Sequence, residues 1–194
     1  MESPRALRLI AAPAAALVVL GTAACGGGEK QGADEPSGTY RVAIVRSSFP
    51  LRQHVAAPTR LVIAVRNTGH KTVPDVAVTV DAFASRSERT DLADPERPVW
   101  IVDAPPEGST TAYTNTYALG PLAPGETRRF VWRLTPVQPG THRLQYRVAA
   151  GLTGQARAVL AGDRVPEREI TVRIAARPAS ARVDPNTGAV VRGR

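Results

Sequence analysis

Residues 129–148 read RFVWRLTPVQPGTHRLQYRV, two runs in which apolar and polar side chains alternate on either side of a Pro139-Gly140 turn. The apolar residues recur at every second position, and they are Phe130, Trp132 and Leu134 in the first run and Leu144, Tyr146 and Val148 in the second. A period of two is typical of β-strands that bury one face. We therefore predict two neighbouring strands that share a buried face and expose the polar residues between.

The same alternation, punctuated by glycine, proline and asparagine, recurs at residues 40–45, 60–66, 76–80, 156–160 and 170–174, and the apolar run at 99–102 is a candidate short strand. No window after residue 24 has the apolar stripe of a helix. The pattern predicts an all-β fold, an antiparallel immunoglobulin-like β-sandwich of about seven or eight strands over residues 40–175. Residues 84–118 interrupt the alternation. Residues 176–194 lack a core pattern and are predicted to form an extended C-terminal tail.

The amino terminus has the organisation of an export signal. Arg5 and Arg8 precede an uncharged run of 13 residues, 9–21, which is shorter than a membrane-spanning helix. The following Thr22-Ala23-Ala24-Cys25 resembles the lipobox of bacterial lipoproteins. The resemblance implies that residues 1–24 are a signal peptide and that Cys25 carries diacylglycerol. The alternative is an ordinary secretory signal with an accidental cysteine, but a lone free thiol is unfavourable in an oxidising compartment.

The rest of the chain is expected outside the cytoplasm, lipid-anchored to the cell membrane. Residues 25–39 are rich in glycine and predict a flexible linker between the anchor and the domain. The formal net charge of the full sequence is +8. Such a domain is attracted to anionic headgroups or wall polymers, and a protein partner is the other expectation. No nucleic-acid-binding signature is present, so a nucleic-acid partner is not expected.

Four strand and turn motifs follow one another between residues 61 and 144. They are LVIAVRNTG at 61–69, VAVTV at 76–80, LAPGE at 122–126 and PGTHRL at 139–144. Together they resemble the bacterial immunoglobulin-like modules of the CARDB type, over residues 58–149. The resemblance implies a role in adhesion, display or accessory binding and implies no catalytic residues. A structural envelope lipoprotein without a specific ligand is the main alternative.

Residues with catalytic or metal-binding chemistry do not form a recognisable motif. His54, His70 and His142 have no second histidine, cysteine or paired carboxylate at ligand spacing, and no nucleophile or phosphate-loop motif occurs. We therefore predict no catalytic residue, metal or cofactor. Two further alternatives remain: an extracytoplasmic enzyme, which would require a pocket joining a histidine to a carboxylate, and a sandwich-type protease inhibitor, for which residues 104–118 are the candidate loop.

Two sets of residues are candidates for recognition. If residues 129–148 form a hairpin, four arginines lie on one surface, and they are Arg129, Arg133, Arg143 and Arg147. Like charges across a strand pair are destabilising, so this set either binds an anion or is neutralised by neighbours such as Glu126, Glu167 or Glu169. The second set is an aromatic recognition loop of Trp100, Tyr113 and Tyr117. Its alternative is structural, with Trp100 closing one end of the sandwich and the tyrosines covering it.

Overall fold

In the computed structural model, all of the regular secondary structure of the described residues is β-strand. The structure describes residues 34–81, 83–86, 96–178, 181–183, 185–187 and 190–192, so the predicted signal peptide and Cys25 lie outside the described residues. Within these residues no helix has the length and hydropathy needed to cross a bilayer. The strands are β1 Gly38–Ser48, β2 Arg52–His54, β3 Thr59–Asn67, β4 Ala77–Asp81, β5 Ala84–Arg86, β6 Glu96–Pro98, β7 Trp100–Ala104, β8 Thr110–Tyr113, β9 Thr116–Ala118, β10 Thr127–Pro136, β11 Gly140–Ala149, β12 Ala156–Val159, β13 Glu167–Ala175, β14 Ala181–Val183 and β15 Val190–Arg192.

Eleven of the described strands form two sheets. Sheet I has five strands in the order β12-β1-β3-β10-β7, and sheet II has six in the order β2-β13-β11-β4-β9-β8. The pairings of β1 with β12 and of β13 with β2 are parallel, and the other pairings within the two sheets are antiparallel. This arrangement confirms the all-β, immunoglobulin-like sandwich. The strand count exceeds the prediction because β2, β8 and β9 are too short to show a clear alternation in sequence.

The predicted hairpin of residues 129–148 is wrong, although both of its strands exist. β10 pairs with β3 and β7 in sheet I, whereas β11 pairs with β13 and β4 in sheet II. Because both edges of β10 are already occupied, β11 has no edge of β10 to pair with, and the chain crosses to the opposite sheet after β10. The chain also changes sheet between β3 and β4 and between β12 and β13.

The core lies between the two sheets and is built by the alternation seen in sequence. Trp132 is fully buried, stacks on Phe130 with ring centroids 5.9 Å apart and meets the edge of Tyr117 at 5.5 Å. From sheet II, Leu144 and Tyr146 are also fully buried. Apolar packing of these large side chains supplies the main stabilisation of the fold.

Asn67 joins two of the turn motifs at one end of the sandwich. Its side-chain amide donates hydrogen bonds to the carbonyls of Lys71 at 2.8 Å and Leu122 at 2.9 Å, and its Oδ1 accepts one from the Gly69 amide at 2.9 Å. The backbone amide of Gly125, in the LAPGE motif, donates to the Asn67 carbonyl. Gly125 has φ = 77°, a conformation that favours glycine. The buried amide of Asn67 therefore explains why the two motifs occur together.

Two regions that lack a clear pattern in sequence contain short strands. Within 84–118, β7 forms one edge of sheet I, while β8 and β9 extend sheet II. β8 and β9 include seven of the 15 residues, 104–118, that a protease inhibitor would need as a loop, and Pro106 is buried. In the C-terminal tail, β14 pairs with β15 in an antiparallel ribbon, where the sequence predicted an extended segment.

Candidate anion-binding site

Arg60 and Arg133 face each other on the outer surface of sheet I. They are cross-strand partners in the β3–β10 ladder, and the same row continues to Ala104 on β7. The alternation of β3 turns Leu61 and Ile63 inward, which places Arg60 on the solvent side. The sequence analysis did not select Arg60, because its position opposite Arg133 depends on a pairing between strands about 70 residues apart.

These two arginines and Arg129 line a cleft of about 730 Å³. Its other lining residues are Ala104, Pro105, Glu107 and Val131. We call these seven residues the arginine cleft. Val131 lies between Arg129 and Arg133 on β10 and provides an apolar floor. Pro105 and Glu107 come from the segment that crosses from β7 to β8, so one wall of the cleft is a connection between the two sheets.

No described carboxylate forms an ion pair with the arginines of the cleft. None of the ion pairs between described residues involves Arg60, Arg129 or Arg133. Glu107 is the only carboxylate in the lining, and it lies outside ion-pair distance of these arginines. The nearby carboxylate of Asp103 accepts a hydrogen bond of 2.7 Å from the Thr135 hydroxyl. The cleft therefore has three guanidinium groups and one carboxylate on its rim.

The predicted cluster of four arginines is wrong, because its members lie on opposite faces of the sandwich. Arg143 and Arg147 belong to β11 and are on the outer surface of sheet II. Both have carboxylates nearby: Arg143 lies 3.8 Å from Glu169, and Arg147 lies 3.9 Å from both Asp81 and Glu167. Neutralisation by acidic neighbours, one of the two expected outcomes, is therefore found for Arg143 and Arg147. It is not found for Arg129 and Arg133 among the described residues.

The prediction that Trp100, Tyr113 and Tyr117 form one exposed aromatic recognition loop is also wrong. Trp100 is 1% exposed, its indole N–H donates to Gln53 Oε1 at 2.7 Å, and Phe49 and His142 contact its ring. Tyr117 is buried against Trp132, and only Tyr113 is exposed, at 52%. Trp100 and Tyr117 are therefore core residues, as the structural alternative expected. Tyr117 packs against Trp132, however, and the rings that cover Trp100 are those of Phe49 and His142.

The three histidines are separate from one another. A ring nitrogen of His54 lies 3.0 Å from the Arg177 carbonyl, and one of His142 lies 3.1 Å from the Gln138 carbonyl. His70 lines a shallow groove with Arg41 and Lys71. In the part of the chain that the structure describes, no three histidine, cysteine or acidic side chains come together as a metal site would require.

Glu35 is a second charged site that the sequence analysis did not identify. It lies in the predicted linker, yet its carboxylate is buried and accepts hydrogen bonds from the amides of Leu152, Thr153 and Ala156 at 2.5–2.8 Å. Burial tends to raise the pKa of Glu35, but these amides outweigh it and the pKa lies below its ordinary value. The folded unit therefore includes the last residues of the predicted linker.

Burial also affects a carboxylate close to Glu35. The pKa of Asp75 is raised by burial and by the charge of Glu35, although the Gly120 amide donates a hydrogen bond of 2.9 Å to its carboxylate. Glu35 and Asp75 line a depression at the end of the sandwich where residues 34–37 lead into β1. This end of the domain is thus the one from which the linker emerges.

No family model matches the sequence, and no curated protein is significantly similar to it. Among solved structures, the chain is similar to the CARDB domain of a Pyrococcus furiosus protein in complex with di-metal ions, with 14% identity over 71% of this chain and 86% of that one, and a TM-score of 0.40.

It is also similar to alpha-2-macroglobulin from Escherichia coli, with 14% identity, 77% of this chain, 21% of that one and a TM-score of 0.44. A third similar structure is beta-glucosidase from Listeria innocua, with 11% identity, 71% of this chain, 16% of that one and a TM-score of 0.37. Similarity at this level says nothing about ligand or activity. CARDB domains are thus among the structures that this chain resembles.

Proposed function

We propose that this chain is an exported, lipid-anchored binding module that takes an anionic partner in the arginine cleft. Diacylglycerol on Cys25 would hold it on the extracytoplasmic face of the cell membrane. The observation that carries the proposal is the direct opposition of Arg60 and Arg133, with Arg129 nearby and no carboxylate within ion-pair distance among the described residues.

Opposed like charges on neighbouring strands reduce the stability of a sheet. A bound phosphate or carboxylate group removes that repulsion, and guanidinium groups bind such groups through paired, charge-assisted hydrogen bonds. Sheet II shows that this chain also contains arginines that are neutralised by acidic neighbours. The lack of such neighbours in the arginine cleft therefore favours a ligand that supplies the negative charge.

The anchoring part of the proposal depends on the amino-terminal sequence and on the start of the folded unit. Cys25 is the only cysteine, and it follows an apolar run with small residues immediately before it. Glu35 is already part of the folded unit, so nine residues separate it from Cys25, and a flexible coil of nine residues would reach roughly 17 Å. The domain would therefore stay close to the membrane.

Binding to a long-chain inorganic polyphosphate at low salt tests the cleft. We compare the wild-type domain with Arg60→Gln/Arg133→Gln and with a matched control, Arg143→Gln/Arg147→Gln, which removes the same charge from sheet II. We expect the cleft variant to bind at least tenfold more weakly and the control to stay within about twofold of wild type. Equal losses in the two variants would show attraction by net charge alone and would contradict a cleft.

Lipidation is tested in the full chain, expressed in a bacterial host with a labelled fatty acid. We expect the wild-type protein to incorporate the label and sediment with membranes, and Cys25→Ala to lose both properties. A wild-type protein that is secreted without label would instead indicate an ordinary signal peptide and would refute the anchor.

A further inference from the structure

The arginines of the cleft belong to a larger set on the outer surface of sheet I. Cross-strand pairing places Arg46 on β1, Ala64 on β3 and Arg129 on β10 in one row. Arg66 is opposite Thr127 in the next row along the sheet. Together with Arg60 and Arg133, these residues form what we call the basic face, which consists of Arg46, Arg60, Arg66, Arg129 and Arg133.

The rows of the basic face have a regular spacing. Residues that point to the same side of a strand are two positions apart, or about 7 Å. The Arg60–Arg133 row and the Arg46–Arg129 row are four positions apart, about 14 Å, and the Arg66 row is about 7 Å further on. The row between the first two contains Val62 and Val131 and has no charge. The positive charges therefore extend over about 20 Å in the strand direction.

Acidic side chains are missing from these rows. The other cross-strand positions are occupied by Ala43, Ser48, Val62, Ala64, Ala104, Thr127 and Val131. Arg46 and Arg66 are exposed, and neither takes part in an ion pair with another described residue. A small anion bound in the cleft would leave these two arginines without a partner. The face as a whole suits a ligand that carries several negative charges in a line.

We infer that the partner is a linear polyanion that lies across the basic face from the arginine cleft to Arg66, with phosphate or carboxylate groups recurring at about 7 Å or a fraction of it. This inference rests on the proposed function and specifies its ligand. The cleft holds one part of the chain between Pro105, Glu107 and the arginines, and Arg46, Arg129 and Arg66 hold the part that continues. A planar lipid surface fits less well, because the carboxylate of Glu107 stands on the rim and would face the headgroups.

The inference is tested by the dependence of affinity on ligand length. The probes are tripolyphosphate, which is shorter than the basic face, and a polyphosphate that exceeds about 20 Å when extended. Affinities are expressed per phosphate, so that overlapping sites on the longer chain do not count as tighter binding. The proteins are the wild type, Arg46→Gln/Arg66→Gln, the cleft variant Arg60→Gln/Arg133→Gln and the control Arg143→Gln/Arg147→Gln. Thermal unfolding of each variant verifies that it is folded.

We expect the wild type to bind the long chain at least tenfold more tightly than tripolyphosphate, because each added contact is made by an already bound chain. Arg46→Gln/Arg66→Gln should weaken long-chain binding about fivefold to tenfold and change tripolyphosphate binding less than twofold. If Arg46→Gln/Arg66→Gln does not change long-chain binding while the cleft variant weakens it, the ligand is a compact anion. The inference then fails, and the proposed function stands. If the cleft variant also binds normally, the proposed function fails.

Two further probes identify the anionic group and its source. Poly-glutamate of matched length replaces phosphate by carboxylate, and stronger binding to one of the two polymers identifies the preferred group. Vesicles of anionic phospholipid present phosphate in a plane. If binding to vesicles depends on Arg46, Arg60, Arg66 and Arg133 more strongly than binding to the polymers does, the partner is a membrane and the inference is overturned.

Discussion

The outer surfaces of the two sheets contain the same arginine pattern in opposite electrostatic settings. Arg129 and Arg133 on β10, like Arg143 and Arg147 on β11, are four residues apart and alternate with buried apolar residues. On sheet I, the cross-strand partners of the β10 arginines are Ala64, Arg60 and Ala104. On sheet II, the β11 arginines have Glu167, Glu169 and Asp81 within 4 Å.

This difference shows that the charge of a strand's surface is set by its neighbours. The neighbours of β10 are β3 and β7, and those of β11 are β4 and β13, so none of the four directly precedes or follows its partner along the chain. The ion pairs on sheet II are 3.8–3.9 Å long and exposed. Pairs of this kind contribute little to stability, but they remove the positive potential that a polyanion needs. Sheet II thus serves as a natural control for the basic face.

The largest effect is expected from Glu35, which holds β1 and hence Arg46 in place. Its carboxylate joins the segment before β1 to the connection between β11 and β12. Glu35→Ala leaves buried amides without an acceptor, and we expect the free energy of unfolding to fall by about 1–3 kcal/mol. Urea denaturation at neutral pH measures the loss. An unchanged midpoint would show that the hydrogen bonds of Glu35 are not needed to keep β1 and the basic face in place.

The pH dependence of the free energy of unfolding tests the stabilising contribution of Glu35 in a second way. Because its pKa is lowered on folding from the ordinary value of 4.5, its contribution is present above that value and is lost as pH falls through the lowered pKa. Asp75, whose pKa is raised, acts in the opposite sense, because it favours the folded state when protonated. Glu35→Gln should therefore be destabilised at neutral pH and lose less stability than the wild type on acidification. An acid limb identical to that of the wild type would contradict this assignment.

The fold was largely predictable because its main strands bury one face each. Alternation around Trp132, Tyr146 and Ile63 identified the long strands, and the exclusion of helices follows from the same pattern. Strand pairing was not predictable in this way, because the alternation of β10 is the same whether its neighbour is β11 or β3. The hairpin prediction failed for this reason, and the four-arginine cluster failed with it.

The candidate site was only half predictable. Arg129 and Arg133 were identified from their own strand, but Arg60 was missed because nothing local to it indicates that it faces Arg133. Glu35 was missed because it lies in a glycine-rich segment, and its partners are backbone amides more than 110 residues away. Trp100 was assigned to a recognition loop because it lies in residues 84–118, which interrupt the alternation, although its indole is buried and donates to Gln53.

The prediction with the next largest effect makes the outer surface of sheet II basic. Asp81→Asn/Glu167→Gln/Glu169→Gln removes the carboxylates next to Arg143 and Arg147, and we expect polyphosphate binding to increase about threefold to tenfold, since each exposed pair is worth roughly 0.2–1 kcal/mol. The same substitutions combined with Arg143→Gln/Arg147→Gln are the control and should abolish the gain. A gain that persists in the control would reflect net charge and would not depend on these arginines.

A smaller effect is expected when one charge of the arginine cleft is reversed. Arg133→Glu replaces repulsion from Arg60 by attraction, and we expect the free energy of unfolding to rise by about 0.2–1 kcal/mol while polyphosphate binding is lost. Arg147→Glu is the matched substitution on sheet II, where Asp81 and Glu167 would repel it, so stability should fall by a similar amount. Urea denaturation of both variants measures the two changes in the free energy of unfolding. If both changes have the same sign, the proposed electrostatic difference between the two sheets is contradicted.

The smallest effect concerns single neutral substitutions and their dependence on salt. Arg143→Gln removes an exposed pair with Glu169, and we expect it to lower the free energy of unfolding by less than about 0.5 kcal/mol. Arg129→Gln removes a charge whose row contains Ala64 and Arg46 and no carboxylate, and it should leave stability unchanged or raise it slightly. Because salt screens exposed charges, the two variants should become equal in about 1 M salt. Urea denaturation at low and high salt measures this convergence. A difference that survives high salt would have to arise from packing, and the two surfaces would then differ in more than their charge.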